Sequence, residues 1–86
     1  MEEKIQELIQ QFKENHKMDI LLADFYEMGL RKQIELRDKR EINTAEFCFF
    51  EALKKEYPST IEDFFAAKDA YTLGFSTNIL SFYDKV

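Results

Sequence analysis

Apolar residues recur along this chain at three- and four-residue spacing, which predicts helices almost throughout. Ile5, Leu8, Ile9 and Phe12 mark a first helix over about 2–15, and Asn15-His16-Lys17 offers a break. A second helix is expected from about Asp19 to Arg40. Asn43, with Glu46 three residues on, reads as a capping box opening a third helix, and Ile42 can touch Phe47 as a hydrophobic staple. That helix is expected to stop near Tyr57-Pro58, because the residue before a proline avoids the α region. Ser59 then caps a fourth helix, with Glu62 in the matching position, that is expected to reach about Tyr83.

The later helices carry apolar residues on two faces. On the second, Leu21, Leu22, Phe25, Met28 and Leu36 share one face, and Ala23, Tyr26, Leu30 and Ile34 lie roughly opposite. On the fourth, Phe64, Ala67, Tyr71, Phe75, Ile79 and Phe82 form the main face, and Ala66, Ala70, Leu73 and Leu80 a weaker one. On the third, Phe49, Phe50, Leu53 and Tyr57 oppose a small-residue face of Ala45, Cys48 and Ala52. A bundle helix needs one apolar stripe. A second stripe on a long helix predicts contact on both sides, supplied either by the short helices or by a second chain. The expectation is a homodimer.

A shift of 45 residues lays Asp24-Phe25-Tyr26-Glu27-Met28-Gly29-Leu30 on Asp69-Ala70-Tyr71-Thr72-Leu73-Gly74-Phe75, and Gln33-Ile34 on Asn78-Ile79. Each half then reads as a short helix followed by a long one. The expected fold is all-α: one helical-bundle domain over residues 1–86, built as two αα-hairpins, with an internal repeat of 1–42 and 43–86 as one reading of the match. Gly29 and Gly74 each cost a helix interior about 1 kcal/mol relative to alanine. Two explanations stand: a close helix–helix contact at both glycines, or a kink that shapes a pocket.

Composition narrows the class. Apolar residues make up 45% of the chain, with nine Phe and four Tyr, so it is too hydrophobic to be disordered. No run of about 18 apolar residues occurs to span a membrane. The acidic start, Met1-Glu2-Glu3-Lys4, is unlike a signal peptide, and the single cysteine, Cys48, fits a reducing compartment. A cytoplasmic protein is expected. The net charge of −5 disfavours direct binding to nucleic acid. It is spread over both halves, −2 over residues 1–43 and −3 over 44–86. Within that balance, Arg31 to Arg40 hold five bases against two acids, at the end of a helix where cations suit the dipole.

No catalytic constellation stands out. His16 is the one histidine and sits at a helix break, where a solvated loop position is expected. Cys48 has no cysteine partner, so a zinc site is not expected, and neither is any other metal or cofactor. Buried apolar filler is the ordinary reading of Cys48; its place near a helix start leaves a reactive thiol as the alternative. Phosphate-binding glycine loops and nucleophile elbows are absent from the sequence.

Asp69-Ala70-Tyr71-Thr72-Leu73-Gly74-Phe75, followed by Ile79-Leu80, resembles the closing helix of small helical proteins of unknown function from Gram-positive bacteria and their phages. The resemblance covers about a quarter of the chain and implies no activity and no site residues. It implies an accessory protein of a phage or mobile element that acts by binding a host protein. The expected function is therefore non-catalytic protein binding, with inhibition of a host or defence protein as its form. The alternatives are a self-associating assembly protein, or an acidic regulator of a nucleic-acid-binding protein. The expected partner or dimer interface is Leu21, Met28, Leu36, Leu73 and Leu80, with Arg37 and Arg40 at its rim.

Overall fold

The computed structural model describes residues 2–77 and residue 79. Four helices follow in order: α1 (Glu2–Asn15), α2 (Ile20–Lys39), α3 (Ala45–Ala52) and α4 (Ile61–Ser76). They form an all-α bundle in which the α2–α4 crossing is the most extensive contact. α1 lies on α2, and α3 lies on α4 with a smaller contact to α2. The short helices thus cover the long ones, which accounts for the two apolar faces of α2 within one chain. Ala23, Phe25, Tyr26 and Leu30, drawn from both faces, are all buried. The core around them takes Ile5, Ile9 and Phe12 from α1, Cys48, Phe49 and Ala52 from α3, and Ala67, Ala70 and Tyr71 from α4.

α2 starts and stops on clear local chemistry. The Asp19 side chain accepts a hydrogen bond from the Leu22 amide at 3.1 Å. At the other end Arg40 takes a left-handed conformation (φ 57°), and the Glu41 amide donates back to the Leu36 carbonyl at 2.8 Å, as in a Schellman motif.

Sequence expectations shift at the other boundaries. Thr44, not Asn43, caps α3: its hydroxyl accepts from the Phe47 amide at 3.1 Å, while Asn43 spends its side-chain oxygen on the Thr44 amide. Ile42 is fully exposed, so the staple does not form. Thr60, not Ser59, caps α4, accepting from the Asp63 amide at 3.0 Å. Both places offer two adjacent capping residues, so spacing alone leaves a one-residue ambiguity.

α3 ends at Ala52, five residues short of Tyr57. Beyond Ala52 the chain tightens into three-residue turns, with Lys54 and Lys55 amides donating to the Glu51 and Ala52 carbonyls. Lys54, Lys55 and Glu56 bring no apolar side chain to hold a further turn against the core. Its burial also differs from the two-face expectation. Cys48, Phe49 and Ala52 go inward, whereas Phe50 and Tyr57 are 49% and 72% exposed.

α4 ends at Ser76, because Thr77 is extended (ψ 130°), so the helix does not run on to Tyr83. The reason is competition for carbonyls. The Thr77 hydroxyl donates to the Leu73 carbonyl at 2.7 Å. The Gln33 side-chain amide, reaching across from α2, donates to the carbonyls of both Gly74 and Thr77 at 2.6 Å. Ile79 is fully buried just beyond this turn.

Candidate functional site

The α2–α4 crossing sets the frame on which the surface features sit. A Cβ on Gly29 would stand 2.3 Å from the Tyr71 carbonyl oxygen, and one on Gly74 would stand 2.2 Å from that of Tyr26. Both positions therefore sit in close backbone contact, and no side chain larger than hydrogen fits without moving a helix. The 45-residue shift maps Tyr26 on Tyr71 and Gly29 on Gly74, so the matched segments meet each other at equivalent places.

Beside this crossing, α2 and α3 diverge to leave an open cleft of about 490 Å³. Met28, Arg31, Lys32 and Glu35 line it from α2 at one-turn spacing. Cys48, Glu51, Ala52 and Lys55 line the facing wall, also at one-turn spacing, and Tyr71 of α4 reaches it from below. Tyr71 is 1% exposed, and its hydroxyl lies beside the Cys48 thiol. Burial, and secondarily the neighbouring Cys48, hold this phenol well above its ordinary pKa, so it stays protonated. Burial likewise pushes the Cys48 thiol up, against the pull of Lys32. A protonated, buried thiol is a poor nucleophile, so the filler reading of Cys48 is favoured over the reactive one.

Most of the cleft's charges are already paired. The Arg31 guanidinium donates to both carboxylate oxygens of Glu2, at 2.6 and 3.0 Å, and to Glu27 at 2.7 Å. That hydrogen bonding draws the Glu2 carboxyl down to about 2. Lys32 is paired with Glu35, which also accepts from Lys39 at 3.2 Å. Lys55 and Glu51 make no ion pair among the described residues.

A second surface lies at the outer junction of α3 and α4. Phe49, fully buried, has its ring centroid 6.0 Å from Phe50 and 5.5 Å from Phe64. Phe64 in turn lies 6.5 Å from Tyr57 and 5.6 Å from Phe65. The inner rings anchor a cluster whose outer members, Phe50, Tyr57 and Phe65, are each about half or more exposed. Ile61, on the first turn of α4, is 75% exposed. Across residues 46–69, the stretch that carries these aromatics, six acids stand against three bases.

The residues singled out as an interface by sequence are not gathered into one free face. Leu21, Met28 and Leu36 are partly buried against the core. Leu73 is 49% exposed, Arg37 and Arg40 are exposed, and Leu80 lies outside the described residues. His16 is exposed at the helix break, and its ring stacks on Phe12 at 3.9 Å. No protein-family model, curated protein or solved structure matches this chain. Among the described residues no helix is long and apolar enough to cross a membrane, and no group of three or more His, Cys, Asp or Glu is placed to hold a metal ion.

Sequence reasoning missed Tyr71 and Lys55 as cleft residues and grouped Phe50 and Tyr57 with Phe49 on one face of the third helix. One signal was available. Phe47, Phe49 and Phe50 cannot all point inward from an eight-residue helix, and Cys48 and Ala52 need the same inner face.

Proposed function

We propose that this chain is a non-catalytic protein-binding module whose contact surface is the aromatic cluster of Phe50, Tyr57 and Phe65. The observation that carries the reading is exposure. Large aromatic side chains left half exposed and joined into one cluster favour burial against a partner, and aromatic residues dominate the energetics of such contacts. The acidic balance of the stretch that carries the cluster favours a partner with an apolar knob ringed by Lys and Arg. A basic nucleic-acid-binding protein has that chemistry, which keeps the acidic-regulator reading within this proposal. The C-terminal resemblance suggests the setting, an accessory protein of a phage or mobile element that inhibits a host or defence protein. The unpaired, buried Cys48 supports a reducing, cytoplasmic location.

The test compares the tagged wild-type chain with a Phe50→Ser, Tyr57→Ser, Phe65→Ser variant in quantitative capture from source lysate, with solution mass measured in parallel. These positions are exposed, so the variant is expected to keep its helical content. The reading requires one protein captured at defined stoichiometry, lost in the aromatic variant and retained in Leu73→Ser. Identical capture by both chains refutes it. A wild-type dimer that the aromatic variant abolishes, with nothing else captured, replaces it by the self-assembly reading.

A further inference from the structure

We propose that two copies of this chain exchange α1 through a hinge at Lys17 and Met18, so that α1 of each copy lies on α2 of the other. The turn between the two helices is the first ground. Lys17 and Met18 are consecutive, and both lie in the left-handed region, with φ at 57° and 60°. A residue with a Cβ is strained there, and turns that need this conformation ordinarily use glycine. Lysine and methionine are instead good helix formers, and neither glycine nor proline occurs before Gly29. The local sequence therefore favours one unbroken helix where the fold imposes a turn. A short hinge under strain of this kind invites exchange between copies.

Helical phase is the second ground. Ile5, Ile9 and Phe12 are buried on α1, and Ala23, Tyr26 and Leu30 on α2. In an unbroken helix the 11 residues from Phe12 to Ala23 come within about 20° of three full turns, so both sets fall on one stripe. His16 and Asp19 complete that stripe as its polar centre. Two such helices laid antiparallel set each copy's Ile5, Ile9 and Phe12 on the other's Ala23, Tyr26 and Leu30. The contacts exchanged are ones the closed chain already makes: Phe12 stacks on Tyr26 with ring centroids 4.4 Å apart, and Glu2 pairs with Arg31 at 2.6 Å. α1 can leave as a unit, because it packs on α2 and has at most marginal contact with α3 and α4. Opening the turn costs the Asp19 cap on the Leu22 amide, whereas the Met18 amide, now bonded to the Lys13 carbonyl at 2.7 Å, finds a helical carbonyl instead.

The chain is unfolded, refolded over a wide range of concentrations and followed by sedimentation equilibrium. Wild type is expected to give a monomer–dimer equilibrium. In a dimer refolded from equal parts of isotopically labelled and unlabelled chain, filtered nuclear Overhauser spectra are expected to place the Phe12–Tyr26 ring contacts between chains. Lys17→Gly combined with Met18→Gly relaxes the closed turn and penalises the straight helix in both copies, so the dimer is expected to weaken by at least about a hundredfold. Asp19→Ala removes a cap that only the closed turn uses, and is expected to tighten the dimer about tenfold. The Phe50→Ser, Tyr57→Ser, Phe65→Ser variant is expected to dimerise as wild type does, which separates this exchange from contact through the aromatic surface. The proposal is overturned by a wild-type chain that stays monomeric at every concentration, or by a dimer whose Phe12–Tyr26 contacts lie within one chain. It is equally overturned by a glycine variant that dimerises as tightly as wild type, or by loss of the dimer in the aromatic variant. Should the glycine variant fail to fold, Asp19→Ala decides: an unchanged or weakened dimer overturns the exchange.

Discussion

Gly29 and Gly74 face each other across the crossing of α2 and α4, each pressed on the backbone of the other's helix: a Cβ on Gly29 would lie 3.1 Å from the carbonyl carbon of Gly74 itself. The obstructing atoms are backbone, so neither site can relax by turning a side chain. Overpacking of this kind costs about 3 kcal/mol, and the better helix propensity of alanine returns about 1 kcal/mol. Gly29→Ala and Gly74→Ala are each expected to lower unfolding stability by about 2 kcal/mol on that balance, measured by urea denaturation. The double variant should lose less than the sum, because one separation of the helices relieves both clashes. A fully additive double variant, or two neutral single variants, would show that the helices do not meet here.

The Gln33 amide ties two carbonyls at the end of α4, those of Gly74 and Thr77. Gln33→Leu leaves the Gly74 carbonyl without this donor and the Thr77 carbonyl with the Ile79 amide, and an unsatisfied buried polar group costs about 1–3 kcal/mol. Gln33→Glu should be worse near neutral pH, since a carboxylate would face two carbonyl oxygens. Amide exchange at Ser76 and Thr77 is the readout. Unchanged protection in Gln33→Leu would mean that Gln33 does not terminate α4.

Arg31 links the start of α1 to α2 through Glu2. The Glu2 carboxyl lies at about 2 in the folded chain, against an ordinary 4.5. The folded protein therefore holds Glu2 ionised where the unfolded chain would protonate it. The contribution is complete above about pH 4.5 and is lost as the pH falls toward 2. Glu2 is exposed, so the effect on global stability should be slight, and the clear readout is the carboxyl resonance itself. That resonance is expected to titrate well below an ordinary carboxyl, and to rise toward the ordinary range in Arg31→Gln, where Gln6 is the remaining donor. A wild-type Glu2 that titrates in the ordinary carboxyl range would show that the α1–α2 tie is not made.

Arg40 closes α2 with φ at 57° and ψ at 39°. A residue with a Cβ pays about 1–2 kcal/mol for the left-handed region, and glycine does not. Arg40→Gly is expected to raise stability by up to about 1 kcal/mol after the extra freedom of glycine in the unfolded chain is subtracted. Thermal unfolding measures it. A loss of stability in this variant would show that the Arg40 side chain contributes more than its backbone costs.

Local sequence determined the four helices, both ends of α2 and the break at His16, because these rest on apolar spacing and on residues that bond their own neighbours. The four-helix all-α architecture was legible for the same reason. The glycine pair was visible as an anomaly in two helical patterns, though sequence left close contact and a kink both open. Tertiary structure decided the rest. It chose Thr44 and Thr60 over their neighbours as caps, and it ended α3 where apolar packing ran out. It ended α4 where Gln33, 44 residues before Thr77, took the carbonyls a longer helix would need. It also spent Leu21, Met28 and Leu36 against the core and left Phe50, Tyr57 and Phe65 outside. Periodicity shows that a helix has two apolar faces. Which face meets protein and which meets water depends on how many neighbours pack around that helix, and that is a property of the assembled fold.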